Sequence, residues 1–140
     1  MNSIIFAAVI SWFITQFVKV VFGLIKYGLR DRSRMIWRII WAGGMPSAHS
    51  AVITAMTVTI LQASGLESPV FGLSVVMSLI VIYDRSRAYS IYSSFQKKYP
   101  EFAREVQGDP LLNDLVGHRF SEIIVGVIIG AGVGMIMAKL

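Results

Sequence analysis

The feature that most constrains this chain is a long apolar run near its start. Residues 4–25 contain one charged residue, Lys19. A helix of about 20 residues crosses the hydrocarbon core of a bilayer, so this run predicts a membrane-spanning helix. The run has no small-residue cleavage site after a short apolar core. It therefore indicates a membrane anchor and not a removed signal peptide.

Further apolar segments predict an all-α integral membrane bundle of four transmembrane helices, forming one domain over residues 1–140. The expected spans are residues 4–25, 48–64, 69–83 and 119–137. The two middle segments are short, and the brief link Gly65–Ser68 favours a helical hairpin. Charged residues make up only 15% of the chain, against about 25% in an average soluble domain. Such a composition excludes a disordered chain, and the lack of cysteine excludes a disulfide scaffold.

The net charge of +5 has an explanation in membrane topology. Apart from the Gly65–Ser68 link, two polar stretches lie between the spans: a first basic stretch, Tyr27–Met45, and a second, Asp84–Gly117. Of the 13 basic residues, 12 lie in or near these stretches, and Lys139 is the exception. Loops rich in Lys and Arg stay cytoplasmic. We therefore expect a multi-pass protein with both stretches on the cytoplasmic side and both termini on the opposite side. The partners expected from this charge are membrane lipids and not nucleic acid.

The second polar stretch contains a helical pattern over residues 88–107. Its apolar positions recur at spacings of four and three: Ala88, Tyr92, Phe95, Tyr99, Phe102 and Val106. Pro100 is expected to divide this stretch into two short helices. An amphipathic segment between two spans predicts a helix in the cytoplasmic membrane interface, with a substrate lid or a partner surface as the alternatives.

An unusual polar motif stands where the first basic stretch meets the second span. It consists of Gly43, Gly44, Pro46, Ser47, His49 and Ser50. Two glycines allow close approach of a ligand to the backbone, and proline is compatible with the first turn of a helix. The free N–H groups of that turn, with serine hydroxyls, favour an anion site. The alternative is a capped helix start after a glycine turn.

His118 and Glu122 form a second polar group, at the start of the last span. Their spacing places both side chains on one helix face. The carboxylate can hold one ring nitrogen and leave the other as a nucleophile. An interfacial pair, or a metal site shared with His49, are the alternatives; we expect neither a metal nor a cofactor.

Charged residues at the other helix ends complete the set: Lys19, Asp84, Arg85 and Arg87. Taken singly, each is explained as a charge at the end of a span. In a four-span topology, however, all of these polar groups reach the same membrane face. Their convergence favours a site that binds an anionic head group while the lipid tail stays in the bilayer.

The chain resembles the divergent branch of the type 2 phosphatidic acid phosphatase (PAP2) superfamily over nearly its whole length. The motif Gly43–Ala51 matches throughout, with supporting matches at Tyr83-Asp84, at Gly117-His118 with Glu122, and at Gln16 with Lys19. The resemblance implies hydrolysis of a lipid phosphate or diphosphate through a phosphohistidine.

The resemblance also implies a role for each site residue. His118 would be the nucleophile, oriented by Glu122, and His49 the general acid. Phosphate oxygens would be held by Ser47, Gly44 and basic residues, without a metal. The arginines after Asp84 are displaced from the usual pattern of the branch, so that either Arg87 has taken over or the site is impaired.

A phosphatase is therefore the leading hypothesis. A non-catalytic protein that binds lipid head groups or acts as a scaffold is the second, and a small transporter component is the third. Gly126, Gly130 and Gly134 recur every four residues and predict a helix face on which another helix packs closely. That partner is either a helix of the same bundle or a second copy in a homo-oligomer.

Overall fold

A computed structural model describes residues 2–27, 44–108 and 116–137, and these parts form five helices and no strand. The helices are α1 (Ser3–Tyr27), α2 (Ala48–Ser64), α3 (Pro69–Lys98), α4 (Pro100–Gly108) and α5 (Phe120–Met137). The predicted all-α class is confirmed. Gly43, most of the first basic stretch and both chain ends lie outside the described residues.

Local sequence explains where α2 and α3 begin and end. Ser47 is the N-cap of α2, and its hydroxyl oxygen accepts a hydrogen bond from the Ser50 N–H at 3.3 Å. Gly65 ends α2 with φ of 78° and donates its N–H to the Leu61 carbonyl oxygen. Pro69 then opens α3, where the missing N–H has no cost. The predicted hairpin link is therefore a tight turn between the end of α2 at Gly65 and the start of α3 at Pro69.

The third helix is longer than the sequence analysis predicted. The span expected over residues 69–83 is the first half of a continuous helix of 30 residues. The separate helix expected to start at residue 88 was wrong, because no glycine or proline between residues 84 and 99 interrupts α3. Pro100 does divide the segment as predicted, since proline disfavours helix at the preceding residue.

Three of the described helices are long and apolar enough to cross a membrane: Ser3–Phe22 within α1, α3 and α5. The 17 residues of α2 make a helix about 25 Å long, shorter than a bilayer core of about 30 Å. The described structure therefore supports three candidate spans, and the fourth predicted span stays a prediction.

The centre of the bundle is α2, against which α1, α3 and α5 all pack. Gly126 lies against Ser47, and Gly134 lies against Ala55, so that α2 and α5 run parallel and in step. The glycine face of α5 is therefore covered by α2 of the same chain. Of the two partners considered for this face, the structure shows the helix of the same bundle, and a homo-oligomer stays a prediction.

The distribution of side chains in α1 is the reverse of that in a soluble protein. Ser11 and Thr15 are fully buried, whereas Phe13 and Phe17 are 61% and 69% exposed. Small and polar residues facing inward, with large apolar residues outward, are typical of helices surrounded by lipid.

Polar contacts also join α2 to α3, where the Thr57 and Ser78 hydroxyls form a hydrogen bond at 2.8 Å.

Replacement of Gly130 tests the packing of α2 on α5. A Cβ at Gly130 overlaps the Ala51 carbonyl oxygen and lies 2.9 Å from the Thr54 Cβ, whereas a Cβ at Gly132 has no atom within 4 Å. We expect Gly130→Val to lower the free energy of unfolding by about 1–3 kcal/mol and Gly132→Val to change it by less than about 0.5 kcal/mol. Unfolding in detergent micelles measures both, and equal stabilities would contradict the packing.

Candidate active site

His118 and Glu122 form a hydrogen-bonded pair at the start of α5. The His118 Nδ1 lies 3.1 Å from the Glu122 Oε2, which also accepts the Arg119 backbone N–H at 3.3 Å. The His118 side chain is buried and that of Glu122 partly buried. An ionised carboxylate only accepts hydrogen bonds, so the pair places the proton on Nδ1. The Nε2 lone pair is then available for chemistry.

The backbone segment before α5 is hydrogen-bonded to α3 and packs closely against it. His118 donates its N–H to the Arg85 carbonyl oxygen at 3.1 Å. Gly117 has φ of 77°, and a Cβ there would lie 2.7 Å from the Tyr89 nitrogen and 2.9 Å from the Ala88 Cβ. Only glycine suits both the conformation and the close approach. The sequence analysis missed this structural role, although the position of Gly117 directly before His118 was a signal for it.

His49 is brought to the same end of the bundle. The centroids of the His49 and His118 rings are 5.9 Å apart, with the ring planes tilted by 51°. The Ser47 N–H donates to the Glu122 carbonyl oxygen at 3.0 Å and so joins the starts of α2 and α5. The His49 side chain is exposed, whereas His118 is buried. The separation is short enough for both rings to contact one phosphate group.

Ser47 and Ser50 are buried together beneath this pair of rings. The Ser50 hydroxyl and N–H both donate to the Ser47 hydroxyl oxygen, at 3.0 and 3.3 Å. The capped helix start considered in the sequence analysis is therefore real. It is compatible with anion binding, because the Ser47 hydroxyl still has its own proton to donate. Pro46 is buried beside it, and Gly44 has φ of 112°.

The structure separates the two arginines of α3. The Arg85 side chain is partly buried, and its carbonyl oxygen holds His118. Arg87 is exposed and lies about 200° further round the helix. The interpretation that Arg87 has taken over phosphate binding is not supported by this placement. Asp84 is also exposed. Of these three residues, Arg85 is the one on the His118 side of α3.

Lys19 is 91% buried, on the side of α1 that faces the bundle. It follows Thr15 by one turn, and α1 packs against both α2 and α5. Within residues 2–27, 44–108 and 116–137, no three His, Asp or Glu side chains are close enough to hold a metal ion. The described residues thus include a buried cation in α1 and buried hydroxyls at the start of α2, and no ready set of metal ligands.

The described helices thus place a buried His–Glu pair, a second histidine and a capped helix start at one end of an apolar bundle. The sequence profile of the Divergent PAP2 family matches residues 1–133. The chain therefore belongs to this family, and the resemblance seen in its motifs is confirmed.

A relative supports the membrane assignment. The chain is 24% identical over 123 residues to a Bacillus subtilis (strain 168) protein described as "Uncharacterized membrane protein YuiD", with 75% of this chain and 77% of that protein covered. No solved structure matches the chain. The family and the three candidate spans together make this an integral membrane protein.

The tautomer of His118 tests the His–Glu pair directly. The chain has two histidines, so nitrogen NMR of labelled protein gives a simple spectrum that His49→Gln assigns. We expect neutral His118 to carry its proton on Nδ1, and Glu122→Ala to move the population toward the Nε2 tautomer because the acceptor is lost. Glu67→Ala, in the exposed α2–α3 link, is the control. An unchanged spectrum in Glu122→Ala would contradict the pair.

Proposed function

We propose that this protein is a membrane-embedded phosphatase that hydrolyses a lipid phosphate or diphosphate monoester through a phosphohistidine. The observation that carries the proposal is the His118–Glu122 hydrogen bond of 3.1 Å beside the His49 ring, whose centroid is 5.9 Å from that of His118. In this proposal His118 is the nucleophile, Glu122 orients it, and His49 is the acid for the leaving group. All three lie near the starts of α2 and α5.

The proposed reaction has two steps. In the first, His118 Nε2 attacks phosphorus, the bond to the leaving oxygen breaks, and His49 gives that oxygen a proton. The leaving oxygen is the lipid alcohol oxygen of a monophosphate or the bridging oxygen of a diphosphate. In the second, water attacks the phosphohistidine, His49 takes the proton from water, and the N–P bond breaks to release phosphate. Glu122 stabilises the positive charge that His118 acquires on attack. Protonation by a positioned side chain contributes about 10²–10⁴ in rate.

Phosphoryl transfer depends mainly on positioning and on charge that compensates the phosphate oxygens. The proposed phosphate ligands are the side chains of Lys19, Ser47 and Arg85 and the backbone near Gly43 and Gly44, while Ser50 orients the Ser47 hydroxyl through its own O–H and N–H. Lys19 and Arg85 supply positive charge from α1 and α3, while Ser47 and the first turn of α2 supply hydrogen-bond donors.

A second candidate function is non-catalytic binding of lipid head groups. The observation that favours it is the exposure of Arg87, which leaves the site with fewer arginines than the resemblance implies. Lys19 cannot replace the bidentate geometry of an arginine. Binding of lipid phosphates that survives loss of both histidines, without turnover, would support this alternative.

Phosphate release from a panel of lipid phosphates, measured with purified protein in chelator, tests the proposal. The panel contains phosphatidylglycerol phosphate, phosphatidic acid and polyprenyl diphosphate. We expect release without added metal, inhibition by vanadate, and a loss of about 10²–10⁴ in kcat for both His118→Ala and His49→Ala. Ser94→Ala, at an exposed position of α3, is the control. Normal turnover by both histidine variants would refute the mechanism.

We further propose that α2 completes a four-span topology, with the site and the second half of α3 on the cytoplasmic face and both termini opposite. The parallel course of α2 and α5 supports it, because the starts of both helices then lie at one face. The second half of α3 and α4 form the interfacial segment. Its outward aromatic side chains Phe95, Tyr99 and Phe102 are of the kind that membrane interfaces favour.

Single cysteines test this topology, since the chain has none of its own. We expect Ser94→Cys to react with a membrane-impermeant maleimide only in inverted membrane vesicles and Glu67→Cys only in right-side-out vesicles, because α3 carries the chain across the bilayer between these exposed positions. Labelling of both positions from the same side would refute the proposed path of α3.

A further inference from the structure

Gln16 is a buried amide whose acceptor atom is unused. The residue is 91% buried in α1, and within the described part of the chain its Oε1 has no hydrogen-bond partner. A buried acceptor without a donor is costly, and in native structures such groups point to an unplaced ligand or to function. The donor that would satisfy the Gln16 Oε1 is therefore not among the described residues.

The depth of Gln16 in the bundle follows from helix geometry. Ala7 packs in one cluster with Ala55 and Val133. Ile10 and Ile129 both pack on this cluster, so the residues that follow Ala7 in α1 meet those that precede Val133 in α5. This indicates that α1 runs antiparallel to α5 and to its parallel neighbour α2.

Nine residues separate Ala7 from Gln16, a rise of about 13 Å, and the same rise along α2 leads from Ala55 to Pro46 and Ser47. Gln16 thus lies at the depth of the α2 cap, which is the level of the candidate active site in the bundle.

The neighbour of Gln16 has the opposite hydrogen-bonding character. Lys19 is one turn further along α1, is buried to the same extent, and offers only donors. A phosphate dianion offers only acceptors, so it can accept from Lys19 and the Ser47 hydroxyl but cannot donate to the Gln16 Oε1. A donor to Gln16 from a bound lipid would be an O–H or N–H on the part of the lipid next to the phosphate.

We propose that Gln16 is a specificity-determining residue whose Oε1 accepts a hydrogen bond from a free hydroxyl of the lipid head group beside the phosphate. The proposal rests on the phosphatase function and narrows its substrate class. The favoured lipids carry their phosphate on a polyol with a neighbouring hydroxyl. Phosphatidic acid, whose glycerol is fully esterified, leaves Oε1 unpaired. A site built to hydrogen-bond a hydroxyl rejects an analogue without it.

Two substrates with identical tails test this proposal: phosphatidylglycerol phosphate, which has the hydroxyl, and phosphatidic acid, which lacks it. For the unmodified protein in chelator we expect kcat/KM to be about 10-fold to 100-fold higher for the first. Gln16→Met keeps the length of the side chain and removes its hydrogen bonds, so the preference should fall to less than about threefold. Gln62→Met, at an exposed position of α2, should keep the full preference.

The outcomes separate this proposal from the phosphatase function itself. An unmodified protein that turns over both lipids equally overturns the role of Gln16 and leaves the phosphatase intact, even if Gln16→Met fails to fold. Equal losses on both lipids in a folded Gln16→Met also overturn it. If neither lipid is hydrolysed, equilibrium binding of the two lipids decides: a preference abolished by Gln16→Met supports the assignment, and equal affinities refute it.

Discussion

The close approach of α2 and α5 is the contact on which the rest of this structure depends. Glycines along α5 let the backbones meet, with Gly126 against the Ser47 carbonyl oxygen and Gly130 against that of Ala51. At the end of this seam the Ser47 N–H bonds the Glu122 carbonyl oxygen, which places the start of α2 against the first turn of α5. His49 and His118 are neighbours because of this packing. A larger side chain anywhere in the seam would move one histidine away from the other.

The polar groups of the site are grouped where an apolar chain can tolerate them. A charged or polar side chain in a membrane is costly unless it is paired or contacts a ligand. His118 and Glu122 meet this condition through each other, Ser50 through Ser47, and Thr57 through Ser78. The Ser11 Oγ and the Gln16 Oε1 do not meet it within the described structure, and of these two Gln16 is the one at the depth of the site. Most polar groups of the site are therefore hydrogen-bonded within the protein, whereas a bound ligand is proposed to supply the hydrogen bond to the Gln16 Oε1.

Much of the fold and of the site could be predicted from local signals. Apolar runs predicted the helices, Ser47 and Gly65 marked the ends of α2, and the spacing of His118 and Glu122 predicted their contact. Other outcomes depended on something that the pattern does not contain. Charged residues after Tyr83 do not break a helix, so α3 continues to Lys98. Neighbouring arginines on a helix point in different directions, so Arg85 and Arg87 differ in exposure.

The sequence by itself determined the membrane class, the helical content and the motif residues, because these follow from hydropathy, backbone preference and spacing within one helix. Only the tertiary structure decided which helix covers the glycines of α5, which arginine lies beside His118, and how near His49 comes to it. Contacts between distant segments depend on how helices pack and rotate against one another. The periodicity of a single segment encodes neither the packing nor the rotation of its helix. For this reason only the assembled bundle shows that Gln16 is buried at the depth of the site.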